Sequence, residues 1–186
     1  VFSASEAYKL DAFTLEFAAK FTSVQLGSAI IALSQGKGTG GATIWSLNAS
    51  DTGKFNVTMN VADQTGALKN TSYMVKYLNE AADGLWHQWA FTFEKTEDGK
   101  MTLNAWMDGV KVLTDKKHSI VGSLAYGDGP CTLSIGAKGP WFDGAIDNLR
   151  LMPGIVASEE FRTLPVFIGT RLWICSLTTF LNDCSP

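Results

Sequence analysis

Apolar and polar residues alternate along much of this chain with a period of two. Phe13, Leu15, Phe17, Ala19 and Phe21 fall on one face of an extended segment, with Thr14, Glu16, Lys20 and Thr22 on the other. The pattern recurs with Phe55, Val57, Met59 and Val61 against Asn56, Thr58 and Asn60, and with Trp89, Phe91 and Phe93 against Gln88, Thr92 and Glu94. Each segment predicts a strand buried on one face and solvated on the other, as in antiparallel sheets. Further strands are expected at 28–34, 42–47, 72–77, 101–107, 131–137 and 144–152. Turn chemistry separates them, and Asp98-Gly99 and Asp108-Gly109 have the composition of hairpin turns. Helical periodicity is confined to 78–82 and 158–161, the latter with Ser158 as an N-cap before Glu159 and Glu160. About nine strands at roughly ten-residue spacing, with no crossover helices, predict an all-β, two-sheet antiparallel β-sandwich of the jelly-roll kind.

Composition is compatible with a single domain over 1–186: 186 residues are 46% hydrophobic and 18% charged. The core of that domain is expected at about 10–161, with 166–186 a terminal strand or an extension. Val166, Phe167, Ile168, Leu172, Trp173 and Ile174 favour the strand, being too apolar to be left in water. Fifteen Lys+Arg against eighteen Asp+Glu, without long like-charge runs, provide no electrostatic footprint for nucleic acid or an anionic membrane. The longest apolar runs fall far short of the roughly 18 residues a membrane span needs, so no membrane insertion is expected. The first ten residues lack the pattern of a signal peptide, which leaves a cytosolic protein or a piece of a longer exported chain. Cys175 and Cys184 suit a small disulfide-closed loop in an oxidising compartment, leaving Cys131 alone; three free thiols is an equal alternative.

Four segments in order resemble the laminin-G-like branch of the concanavalin A-like jelly-roll superfamily. Phe13-Thr14-Leu15-Glu16-Phe17 resembles an early strand of that family, and Trp86-His87-Gln88-Trp89-Ala90-Phe91-Thr92 its "WHHVAFT" strand. Ala105-Trp106-Met107-Asp108-Gly109 resembles "lYvDG". Leu133-Ser134-Ile135-Gly136, followed by Phe142-Asp143-Gly144-Ala145-Ile146-Asp147-Asn148-Leu149-Arg150, resembles "lxIG…FxGxIDdVR". The chain departs at Ala18 and Gln88, and no first strand precedes Val1. The resemblance implies a core role for Trp86 and Trp89 and a fold-related role for His87. It also implies that Asp147 can help bind a structural calcium (Ca2+) with groups from the N-terminal segment. Against that, calcium needs six to eight oxygens and no local run supplies them; the alternative is Asp147 capping backbone amides or pairing with Arg150. Ile146, Leu149 and Leu151 are all core-like but not evenly spaced, which predicts a bulge near Asp147 and Asn148.

Signatures of chemistry are few. Gly36-x-Gly38-x-x-Gly41 has dinucleotide-site spacing, but the strand-like Ala42 to Leu47 follows where a helix N-terminus is required. Glu16 lacks a second carboxylate two residues away and reads as a solvated-face residue, and His118 reads as part of a polar loop. Six Trp and four Tyr exceed the evident needs of a core. Aromatic faces stack on sugar rings while amides and carboxylates bind hydroxyls, so Trp106, Asn104, Trp141, Tyr126 and Trp45 are the candidate ligand-binding residues. Trp141, in a turn-rich loop, is equally a lid on the sandwich. The expected function is a non-catalytic, lectin-like recognition module accessory to a larger glycan-active protein, extracellular, cell-surface or periplasmic. Its partner is then a glycan, or a surface protein if it is an adhesion module; a polysaccharide lyase or glycoside hydrolase with an unrecognised site is the third reading. Convergence of Trp106, Asn104 and Trp141 on one solvent-facing groove is the physical test.

Overall fold

A computed structural model describes residues 2–23, 29–36, 42–49, 54–75, 82–138 and 143–162, the side chains of 22, 23, 114–119, 137, 138 and 143 excepted. The expectations for residues 78–81, Trp141, Cys175, Cys184 and 166–186 lie outside these residues. The strands are β1 (Phe13–Ser23), β2 (Ala29–Gln35), β3 (Ala42–Ala49), β4 (Phe55–Asp63), β5 (Leu68–Val75), β6 (Trp86–Lys95), β7 (Lys100–Met107), β8 (Val110–Leu124), β9 (Cys131–Lys138) and β10 (Asp143–Pro153). All described pairings are antiparallel. One hydrogen-bonded path runs β10-β1-β6-β7-β8-β4-β3-β2-β9, with β5 also on β4. Among the described residues no helix is long and apolar enough to cross a membrane.

The path folds over at β8, which pairs with β7 along most of its length and with Val61–Asp63 of β4 at its end. This makes two leaves, β10-β1-β6-β7 and β5-β4-β3-β2-β9, that face each other. Apolar alternation determines what lies between them: Phe13, Leu15, Phe17 and Phe21 of β1 and Trp89, Phe91 and Phe93 of β6 are buried there. Rings from the two leaves meet, Phe55 on Trp89 at 4.7 Å and Trp45 on Phe13 at 5.4 Å between centroids. Such pairs add to the burial of apolar area that drives folding.

The outer face of the first leaf is covered too. Thr14 Oγ1 donates to Gly154 O (3.0 Å) and accepts from Val156 N (2.9 Å), while Glu16 accepts from Arg150 Nη2 and from Arg162 N (3.2 Å). Residues 154–162 therefore lie across β1, and Glu16 is 0% exposed. That corrects the solvated reading of Glu16: alternation placed it outside the core, but a later segment covers it, and Arg150, its cross-strand neighbour, compensates its charge.

The bulge lies where expected. Glu16 pairs with Arg150 and Ala18 with Asp147, so Phe17 alone faces Asn148 and Leu149. Asn148 takes φ +53°, and Asp147 Oδ1 accepts its N–H at 2.7 Å. Asp108 and Gly109 have φ +50° and +78°, the left-handed pair a tight hairpin turn requires. Two expectations are corrected. His118 lies in a strand, β8, and Ser158 begins a 3-10 turn (Ser158–Glu160) capped without a side-chain bond by Ala157.

Candidate functional site

With Trp89, Phe91 and Phe93 pointing inward, alternation puts Trp86, Gln88 and Ala90 of β6 on the outer face of the first leaf. Trp106 is the cross-strand partner of Ala90, and Asn104 that of Thr92, on the same face. Residues 154–162 cross this face and bring Phe161 against Trp106, with Trp86 farther along β6. Between them lies a groove of about 450 Å³. Gln88 and Ala90 form its floor; Leu85 and Trp86 form one wall, Trp106 and Phe161 the other, and His87, Asp108, Gly109, Ser158 and Arg162 its rim. Trp106 is hemmed in: the Phe161 ring packs edge-on at 5.0 Å, and Lys111 Nζ sits 5.2 Å from its ring centre. Trp86, 41% exposed, is the open aromatic surface of the groove.

The rim carries an ionic cluster. His87 Nδ1 lies 2.6 Å from Asp108 Oδ2, and Nε2 lies 3.2 Å from Asp83 Oδ1. Asp108 also accepts from Gln88 N through Oδ1 (2.8 Å) and donates its own N–H to Gln88 O (2.8 Å), which fixes the turn against β6. Burial alone would lower the proton affinity of His87; the hydrogen bonds and charges of Asp108 and Asp83 outweigh it, and the imidazole titrates above its ordinary 6.5. The Leu85 amide and His87 hold Asp83 below the usual carboxylate range.

The sequence-derived candidates divide. Trp106 lines the groove. Asn104 shares its face but is buried beneath the surface, so it supports the groove rather than lining it. Trp45 is 1% exposed and stacked on Phe13 in the core, which leaves it no face for a ligand. Tyr126 belongs to another hollow with Gln35 and Gly127; its hydroxyl accepts from Leu10 N (3.0 Å) and donates to Leu10 O (2.9 Å), a tether between chain segments. Trp141 lies outside the described residues. Trp86, expected in the core with Trp89, is at the surface instead: three positions from an inward residue, alternation places it outward. Phe161 and Arg162 carried no local signal, because their place in the groove depends on a crossing far from β6 and β7 in sequence.

Asp147 binds the backbone of its own bulge, and Arg150 pairs with Glu16 rather than with it. Among the described residues no group of three or more His, Cys, Asp or Glu is placed to hold a metal ion.

Solved structures of the same shape include the CBM40 module of the Ruminococcus gnavus IT-sialidase bound to alpha2,6 sialyllactose. It is 12% identical, with 82% of this chain and 82% of that chain covered, at TM-score 0.57. The module bound to alpha2,3 sialyllactose is 12% identical over 85% of this chain and 89% of that one, at 0.55. The receptor binding domain of botulinum neurotoxin D is 15% identical over 86% of this chain, at 0.51, and this chain spans 37% of it. At these identities the likeness is one of fold. No curated protein matches in sequence. The family profile described as the concanavalin A-like lectin/glucanases superfamily matches residues 2–160, and the chain belongs to that superfamily.

Proposed function

We propose that this domain is a lectin-like recognition module that binds a glycan in the groove between Trp86 and Trp106. The observation that carries the reading is the groove itself: an open aromatic face with carboxylate, hydroxyl and guanidinium groups around it, which is how a sugar ring and its hydroxyls are held. Like folds in CBM40, a module seen with sialyllactose, support the class of ligand but not its identity. The proposal extends to its setting, as an accessory module of an exported or cell-surface glycan-active protein.

The test is a titration of intrinsic tryptophan fluorescence and melting temperature with neutral and sialylated oligosaccharides. One sugar class is expected to change the fluorescence and raise the melting temperature, since a ligand at a hundred times its Kd stabilises by about 2.7 kcal/mol. Trp86→Ala is expected to abolish both effects and Trp106→Ala to weaken them. Binding that survives both substitutions would overturn the placement of the site.

Protein adhesion is the second reading, favoured by Leu85 and Val110, which are 63% and 66% exposed beside the same turn. A silent sugar panel, with loss of a protein contact in Leu85→Ser, would support it.

A further inference from the structure

The wall carrying Leu85 and Trp86 grows out of residues 82–85. This loop is held by Gly84 N donating to Phe21 O (3.0 Å), by the turn in which Leu85 N donates to Asp83 Oδ1 (2.7 Å), and by the approach of Asp83 to His87. Across the groove's end stands the Asp108-Gly109 turn, bound to β6 twice through Gln88 whatever the state of His87. His87 lies between loop and turn with one ring nitrogen toward each carboxylate.

A neutral imidazole has one N–H and one lone pair, so it can donate to only one of two facing carboxylates; an imidazolium donates to both. The closer contact, Nδ1 to Asp108 at 2.6 Å, is the bond a neutral ring keeps. The longer one, Nε2 to Asp83 at 3.2 Å, depends on the second proton.

We propose that His87 is a positioning residue: as imidazolium it straps the Leu85–Trp86 wall to the Asp108 turn, and the groove's affinity for glycan falls as that proton is lost. The binding half of this rests on the glycan reading above; the strap does not. Among the described residues, the charges acting on His87 are Asp83, from the loop, and Asp108, from the turn. From β1 the residue opposite is the uncharged Ala19, with Lys20 paired to Trp86; Lys111 of β8 lies over Trp106 and Arg162 closes the far rim. The raised proton affinity of His87 agrees with the geometry.

The experiment is an NMR pH titration of the full chain without ligand, in a His118→Gln background that leaves His87 the one imidazole. The His87 midpoint is expected above 6.5, its ordinary value, with the Leu85 amide and the Trp86 indole N–H shifting at the same midpoint. Asp83→Asn is expected to lower the midpoint and silence the Leu85 and Trp86 response while the sheet amides keep their dispersion. A midpoint at or below 6.5, or Leu85 and Trp86 signals that ignore it, would overturn the strap. With the sugar class from the panel, affinity is expected to drop several-fold through the midpoint in the otherwise native chain and to stay flat in Asp83→Asn. Flat affinity in both overturns the effect on binding. If no sugar binds at any pH, the glycan reading fails while the ligand-free titration still decides the strap.

Discussion

Asn148 shows how one residue's backbone determines the shape of an edge strand. At φ +53° its Cβ crowds the neighbouring carbonyl, a cost of about 1 kcal/mol for most residues, smaller for Asn and absent for Gly. Asn148→Ala is therefore expected to destabilise by about 1 kcal/mol in urea unfolding, and Asn148→Gly to be near neutral. Equal losses in both would mean that the side chain, not the backbone, matters there. This bulge was legible in sequence because Ile146, Leu149 and Leu151 break strict alternation. The covered state of Glu16 was not: alternation reports which face a residue takes, not what later folds over that face. The same rule explains Trp86, whose outward face follows from its distance to Trp89, whereas family position alone put it in the core.

Among the elements, β8 was the one the sequence concealed. Its middle, Asp115-Lys116-Lys117-His118, interrupts any apolar alternation, and its register against β7 shifts repeatedly. It is a strand because β7 and β4 supply its hydrogen bonds, a non-local cause that no window of residues contains. The remaining strands repeat the period-two pattern closely because each has one face in the core. Where β8 passes onto β4, Gly122 is required: a Cβ there would run into the Ala62 carbonyl oxygen and come within 2.7 Å of Val61 Cγ1. Gly122→Ala is expected to cost roughly 1–3 kcal/mol, read as a lower urea midpoint. An unchanged midpoint would show that the crossing can shift to make room. The groove was only partly legible for the same reason as β8. Its β6 and β7 residues follow from alternation, but Phe161 and Arg162 arrive by a distant crossing.

For the whole molecule, titration defines a window of stability. Asp63, Asp83 and Asp98 all sit below the ordinary 3.8, Asp98 at about 2 through its bonds to Thr96 and Lys100. Groups shifted this way add stability above 3.8 that is lost on acidification toward 2. His87 is shifted the other way, so its contribution is complete below 6.5 and is lost as pH rises through its higher folded value. Melting temperature should thus be highest between about 4 and 6.5 and decline on both sides. In His87→Gln the decline that begins just above 6.5 should vanish, leaving the one at strongly alkaline pH where the raised Cys131, Tyr73 and Tyr126 lose their protons. A decline just above 6.5 that persists in that variant would place its cause elsewhere.

The two leaves are bound along one long side by β8, which belongs to both. The N-terminal segment runs from β9, where Phe2 and Ser5 donate to Leu133 and Cys131, to β1 past Leu10, which Tyr126, just beyond the end of β8, grips by both its backbone groups. The sandwich is thus a book with a spine and a clasp. Neither cover can swing open unless β8 is torn from a neighbour or the clasp at Tyr126 is undone.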